Sequence, residues 1–164
     1  MNEKKNLTTK ETFALAVQNQ QNNNLKVAEN LYKEILKTNP DHAFSHSNLG
    51  IIFKQLGENR KAINCFQKTI QINPNYEQAH NNLGVVFNEL GEDQKAIGYF
   101  QKAIVIQPNY ADAHYNLGTV FKKLEKSQKA ISCFQKAIEI QPNHAKAHYN
   151  LGVIFIKLGK RKKA

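Results

Sequence analysis

Residues 79–110 read AHNNLGVVFNELGEDQKAIGYFQKAIVIQPNY, and this stretch decides the fold. Leu83, Val86, Phe87 and Leu90 fall at i, i+3, i+4 and i+7, the spacing of one helical face. Gly91 comes directly after the last of them. Glycine enters the left-handed region freely, so it is a helix stop. Ala96, Ile97, Phe100, Ala103 and Ile104 then form a second helical face. Pro108 closes the segment, because proline cannot continue a helix. The stretch therefore reads as helix–turn–helix. Small Gly84 and Ala96 are expected to let the two helices approach closely, with Phe100 packed above them.

The pattern repeats. Pro40, Pro74, Pro108 and Pro142 stand 34 residues apart. Gly50, Gly84, Gly118 and Gly152 keep the same interval, as do Ala28, Ala62, Ala96, Ala130 and Ala164. Aligned without gaps, residues 43–76, 77–110 and 111–144 are complete repeats. Residues 9–42 form a degenerate first repeat, residues 145–164 a truncated fifth, and residues 1–8 a polar N-terminal extension. Helices of about 13 residues are marginal alone in water, so each must bury its stripe against its neighbours. The expected fold is all-α, a right-handed α-solenoid of antiparallel helix pairs.

Composition narrows the function classes. The chain of 164 residues is 41% hydrophobic and has a formal net charge of +10. Strong basicity admits a nucleic-acid or anionic-surface partner. Arginine is nearly absent, at Arg60 and Arg161 alone, which favours a solvated lysine surface over dedicated nucleic-acid binding. The one dense basic run is Lys160-Arg161-Lys162-Lys163. The opening residues lack an apolar core of signal-peptide type, and no apolar run approaches the roughly 18 residues of a membrane span. Two scattered cysteines, Cys65 and Cys133, form no disulfide framework. The expected location is cytoplasmic.

Leu83, Gly84, Phe87, Gly91, Ala96, Phe100, Ala103 and Pro108 together resemble the tetratricopeptide repeat (TPR) family, whose unit is a 34-residue helix–turn–helix. The resemblance spans residues 9–164. Three features depart from it. Glu125 stands where glycine is expected between the helices of the fourth repeat, which predicts a looser or differently shaped turn. His46, His80, His114 and His148 replace Trp or Tyr, and Ala14 and Ala16 replace the Asn and Gly of later repeats. A narrower likeness lies in AHNNLG and AHYNLG, which look like the repeat region of O-linked N-acetylglucosamine transferases.

That likeness implies an asparagine ladder that holds polypeptide, here Asn48, Asn82, Asn116 and Asn150. A primary amide offers an acceptor oxygen and two donors, so a row of them suits an extended backbone of any sequence. The competing readings are a solvated residue or a bond to a neighbouring helix. Family geometry adds Asn81, Tyr115 and Tyr149 beside the row and Lys122 at its rim. Tyrosine is a low-entropy anchor for peptide, and the lysine favours acidic ligands, unless it merely keeps the surface soluble. A carboxylate clamp is not expected. Asn116 and Asn150 stand where arginine would be needed, and Phe13 and Ser47 where lysine would be.

No metal or cofactor is expected. Histidines that recur once per repeat sit on helices packed 8–10 Å apart, too far to share a zinc ion; they read as packing residues between helices. Cys65 and Cys133 lie two repeats apart, beyond disulfide reach. The chain is expected to be a non-catalytic scaffold that binds another protein or peptide. The alternative is the recognition arm of a larger glycosyltransferase. The apolar face of Leu151, Ile154, Phe155 and Leu158 leaves self-association open.

Overall fold

The computed structural model describes residues 7–161, with side chains to residue 159. Most of the polar extension and the end of the basic run lie outside the described residues. Among those described there are nine α-helices and no strand. They fall into two compact units that divide after Asn75.

The first unit holds α1 (Thr9–Gln21), α2 (Leu25–Thr38), α3 (Ala43–Gln55) and α4 (Asn59–Ile72). The second holds α5 (Glu77–Glu89), α6 (Asp93–Ile106), α7 (Ala111–Lys123), α8 (Ser127–Ile140) and α9 (Ala145–Arg161). Within each unit every helix packs on the next in sequence. Thr8, assigned by sequence to the extension, instead caps α1. Its hydroxyl accepts from Glu11 N, and the Glu11 carboxylate accepts from Thr8 N at 2.8 Å. Those bonds lower the Glu11 pKa.

A ring over a glycine holds three of the helix pairs together, α3 with α4, α5 with α6 and α7 with α8. Phe66, Phe100 and Phe134 are essentially without solvent exposure. A Cβ placed on Gly50, Gly84 or Gly118 would lie 2.6, 2.6 or 2.8 Å from those rings. These glycines are needed for space, since all three sit inside helices. At Gly152 a Cβ would meet nothing within 4 Å.

The turns follow from their residues. Asn39, Asn73, Gln107 and Gln141 each precede a proline, whose ring disfavours the helical region for the residue before it. They adopt φ of −129° to −135° and ψ of 82° to 92°, and the helices end there. Between the helices of a pair, Gly57 and Gly91 take φ of 73° and 78°. Asn23 and Glu125 take the same left-handed conformation at 60° and 56°. The expected loosening at Glu125 is therefore corrected: Lys126 N donates to Phe121 O at 2.9 Å, as Glu92 N does to Phe87 O at 2.8 Å. The packed pair imposes the turn, and the glutamate accepts the strain.

These contacts and turns predict the stability of three variants. Gly84→Ala should lower stability by about 1–3 kcal/mol, because a buried ring has no room to move. Gly152→Ala should be neutral, or stabilise by roughly 0.5–1 kcal/mol through helix propensity. Glu125→Gly should stabilise by about 1 kcal/mol by relieving the left-handed strain. The ion pair it removes, Lys157–Glu125 at 3.1 Å, is solvent-exposed and contributes little. Urea unfolding of the three variants beside the parent chain measures these effects.

Candidate functional site

Asn48 lies in the first unit and is half-buried on α3. Its Nδ2 donates to the Tyr32 hydroxyl at 3.0 Å, and that hydroxyl donates to Gln20 Oε1 at 2.8 Å. Tyr32 has no solvent exposure, and burial pushes its pKa up to about 12. The hydroxyl is thus a fixed neutral donor and acceptor joining α1, α2 and α3.

The other three asparagines share the second unit, on α5, α7 and α9. Asn82 is half-buried, and no protein group among the described residues bonds its amide. Asn116 Nδ2 donates to Asn81 Oδ1 at 3.0 Å. Asn81 itself is buried, 6% exposed, and meets the Tyr110 hydroxyl, whose pKa burial raises to about 12. Asn150 is also buried, 8% exposed. Its Nδ2 donates to Lys146 O at 2.9 Å and reaches the Tyr115 hydroxyl at 3.5 Å. Its Oδ1 accepts from Lys122 Nζ.

The structure thus brings Asn81 to Asn116, and Tyr115 and Lys122 to Asn150, across adjacent helices. Tyr115 packs against Phe134 and His144, with ring centroids 5.8 and 4.9 Å away. Tyr149 stands 72% exposed on α9. Asn82 keeps its whole amide for a ligand. Asn116 keeps its oxygen and one N–H. Asn150 is fully engaged. Of the apolar face on α9, Ile154 is buried and Phe155 is half-exposed.

The repeated histidines do something the sequence reading missed. Nε2 of His46, His114 and His148 lies 2.8, 2.9 and 2.8 Å from the carbonyl of Pro40, Pro108 and Pro142. A carbonyl can only accept, so Nε2 carries the proton. These rings tie down the turn before their own helix, six residues back, while buried His80 lies 6.2 Å from the Tyr99 ring of α6, the packing between helices that the sequence suggested. The constant Pro-to-His interval was the available signal. His42 is different: Ser45 N donates to its Nδ1 at 3.2 Å, so the ring caps α3 as a neutral acceptor. No cluster of metal-ligating side chains occurs among the described residues. Burial pushes the Cys65 and Cys133 thiols up to about 11, which keeps them protonated and poor nucleophiles at neutral pH. No described helix is long and apolar enough to cross a membrane.

A pH dependence follows from the His42 cap. Burial, and then the nearby His46, lower its pKa below the ordinary 6.5. The unfolded chain therefore takes up a proton before the folded one does. The cap's contribution is present above pH 6.5 and lost as pH falls through the lower folded value. His42→Ser, a cap that does not titrate, should reduce the stability lost on acidification while leaving a capped helix at neutral pH. Thermal midpoints of both proteins from neutral to mildly acidic pH measure the difference.

Comparison with known proteins supplies the remaining observations. The Tetratricopeptide repeat profile matches residues 111–144, and a second profile of that description matches 133–164. A TPR repeat profile matches residues 52–91 and 86–125. Together they run over more than half of the chain. No curated protein sequence matches it. Among solved structures, MamA is 28% identical with a TM-score of 0.79, over 90% of this chain and 86% of MamA. YrrB, a TPR protein with an unusual peptide-binding site, is 23% identical with a TM-score of 0.75, over 95% of this chain and 80% of YrrB. The first TPR of Spaghetti, bound to the HSP90 peptide SRMEEVD, is 21% identical with a TM-score of 0.69. That match covers 71% of this chain and 93% of the other.

Proposed function

The chain belongs to the tetratricopeptide repeat family and has its all-α solenoid fold, and on that premise we propose that it is a scaffold holding extended polypeptide on the asparagine face of its first helices. The carrying observation is the half-buried Asn82 amide, which no protein group among the described residues bonds. Beside it, Asn116 retains an oxygen and one N–H. An amide set one helix away from another can pair with successive peptide units, and it reads backbone in preference to side chains. Tyr149, 72% exposed one helix further on, offers a rigid anchor for a ligand side chain.

The related structures support the reading at the level of fold. YrrB carries a peptide-binding site and the Spaghetti repeat holds a bound peptide, so helix pairs of this kind can do this work. A role as the recognition arm of a glycosyltransferase rests on the likeness of AHNNLG and AHYNLG alone.

The test is binding by a peptide selected on the full chain from a random linear-peptide phage library. Asn82→Ala should weaken it roughly three- to tenfold, the loss of one or two hydrogen bonds. It should leave the helical circular dichroism unchanged, because the amide supports nothing in the protein. Asn116→Ala should weaken binding similarly, with some loss of stability from its bond to Asn81. Unchanged anisotropy-measured affinity in both variants would remove the asparagine face as the site.

A further inference from the structure

Lys122 and Asn150 hold one another across α7 and α9. Two nearby lysines, Lys123 of α7 and Lys157 of α9, have carboxylate partners. Lys123 Nζ lies 2.7 Å from Asp93 Oδ1, and Lys157 Nζ lies 3.1 Å from Glu125 Oε1. Lys122 is half-buried, and among the described residues its ammonium pairs with no carboxylate. It donates instead to the neutral Oδ1 of Asn150. The same asparagine has its Nδ2 on the Lys146 carbonyl and against the Tyr115 hydroxyl. A half-buried cation is thus compensated by one neutral oxygen, in a chain whose formal net charge is already +10.

A carboxylate adds the attraction of a full opposite charge to the hydrogen bond, so it holds an ammonium more strongly than a neutral amide oxygen does. A carboxylate brought to this place would therefore draw Lys122 away from Asn150. The amide oxygen freed by that exchange becomes an acceptor for a peptide N–H on α9. Resting on the peptide-binding reading above, we infer that Lys122 sets the specificity of that site: it selects a polypeptide with an Asp or Glu side chain over α7. Asn150 is the resting partner that the ligand displaces. The ladder is then continuous through Asn82, Asn116 and Asn150 only when an acidic ligand is bound. Excess positive charge on the chain favours the encounter at low salt.

The experiment uses the full chain and the phage-selected peptide. If Lys122 reads an acidic side chain, the selected sequences share Asp or Glu at one register. Replacing that residue by its amide should weaken binding to the parent chain about tenfold. Lys122→Met should bind the acidic and amide peptides equally, and Lys122→Arg should restore the preference. Asn150→Asp gives Lys122 a carboxylate of its own. It should weaken the acidic peptide about tenfold and leave the amide peptide within about twofold, a pattern that misfolding would not produce. An acid preference that persists in Lys122→Met, or selected peptides without a shared acidic position, would overturn this inference and leave the peptide-binding reading standing. Failure to select any peptide would remove both.

Discussion

The contact on which the structure depends is the aromatic ring seated on a glycine. Phe100 can lie flat against the backbone of α5 only because Gly84 has no Cβ, and the same holds for Phe66 on Gly50 and Phe134 on Gly118. This contact sets how closely the two helices of a pair approach. Everything else on the pair is then positioned at fixed offsets from it: the left-handed turn, the pre-proline stop, and the face that carries the asparagines. Helices of 13 or 14 residues, too short to persist alone, become rigid through that one packed ring.

The first pair uses a variant of the same contact, and this changes the asparagine of the pair that follows it. Ala16 and Tyr32 stand where later pairs have glycine and phenylalanine, and both are fully buried. The tyrosine hydroxyl must find partners in the interior. It finds Gln20 and Asn48, so Asn48 is tied to α2. Phe100 and Phe134 have no hydroxyl, and Asn116 and Asn150 take other partners on the neighbouring first helix. The sequence feature that marks the first repeat as degenerate thus also sets apart the ladder residue of the repeat that follows, Asn48.

The helix pairs were legible in the sequence because they depend on residues at a fixed interval: Gly84, Ala96, Phe100 and Pro108 each act within one repeat. The turn at Glu125 was misjudged because a local preference of about 1–2 kcal/mol was weighed without the packing that overrides it. The bond of His114 to the Pro108 carbonyl was missed because helix-face logic looks sideways, whereas this ring reaches back along the chain. The state of each asparagine was not legible at all. It depends on partners from other helices, and those partners differ: Tyr32 for Asn48, Asn81 for Asn116, Lys122 and Tyr115 for Asn150.

That last difference explains how such a chain can vary its ligand without disturbing its fold. The positions that hold the pair together are small or aromatic, and they face the partner helix. The positions that decide whether an amide is free are separate ones: Asn81, Tyr115 and Tyr149 occupy one equivalent site, and Asn88 and Lys122 another. A substitution there rewires hydrogen bonds between first helices while every ring stays on its glycine. The asparagines are therefore better regarded as common acceptors and donors than as a uniform ladder. Their neighbours on other helices determine which of these amides the protein itself leaves unbonded.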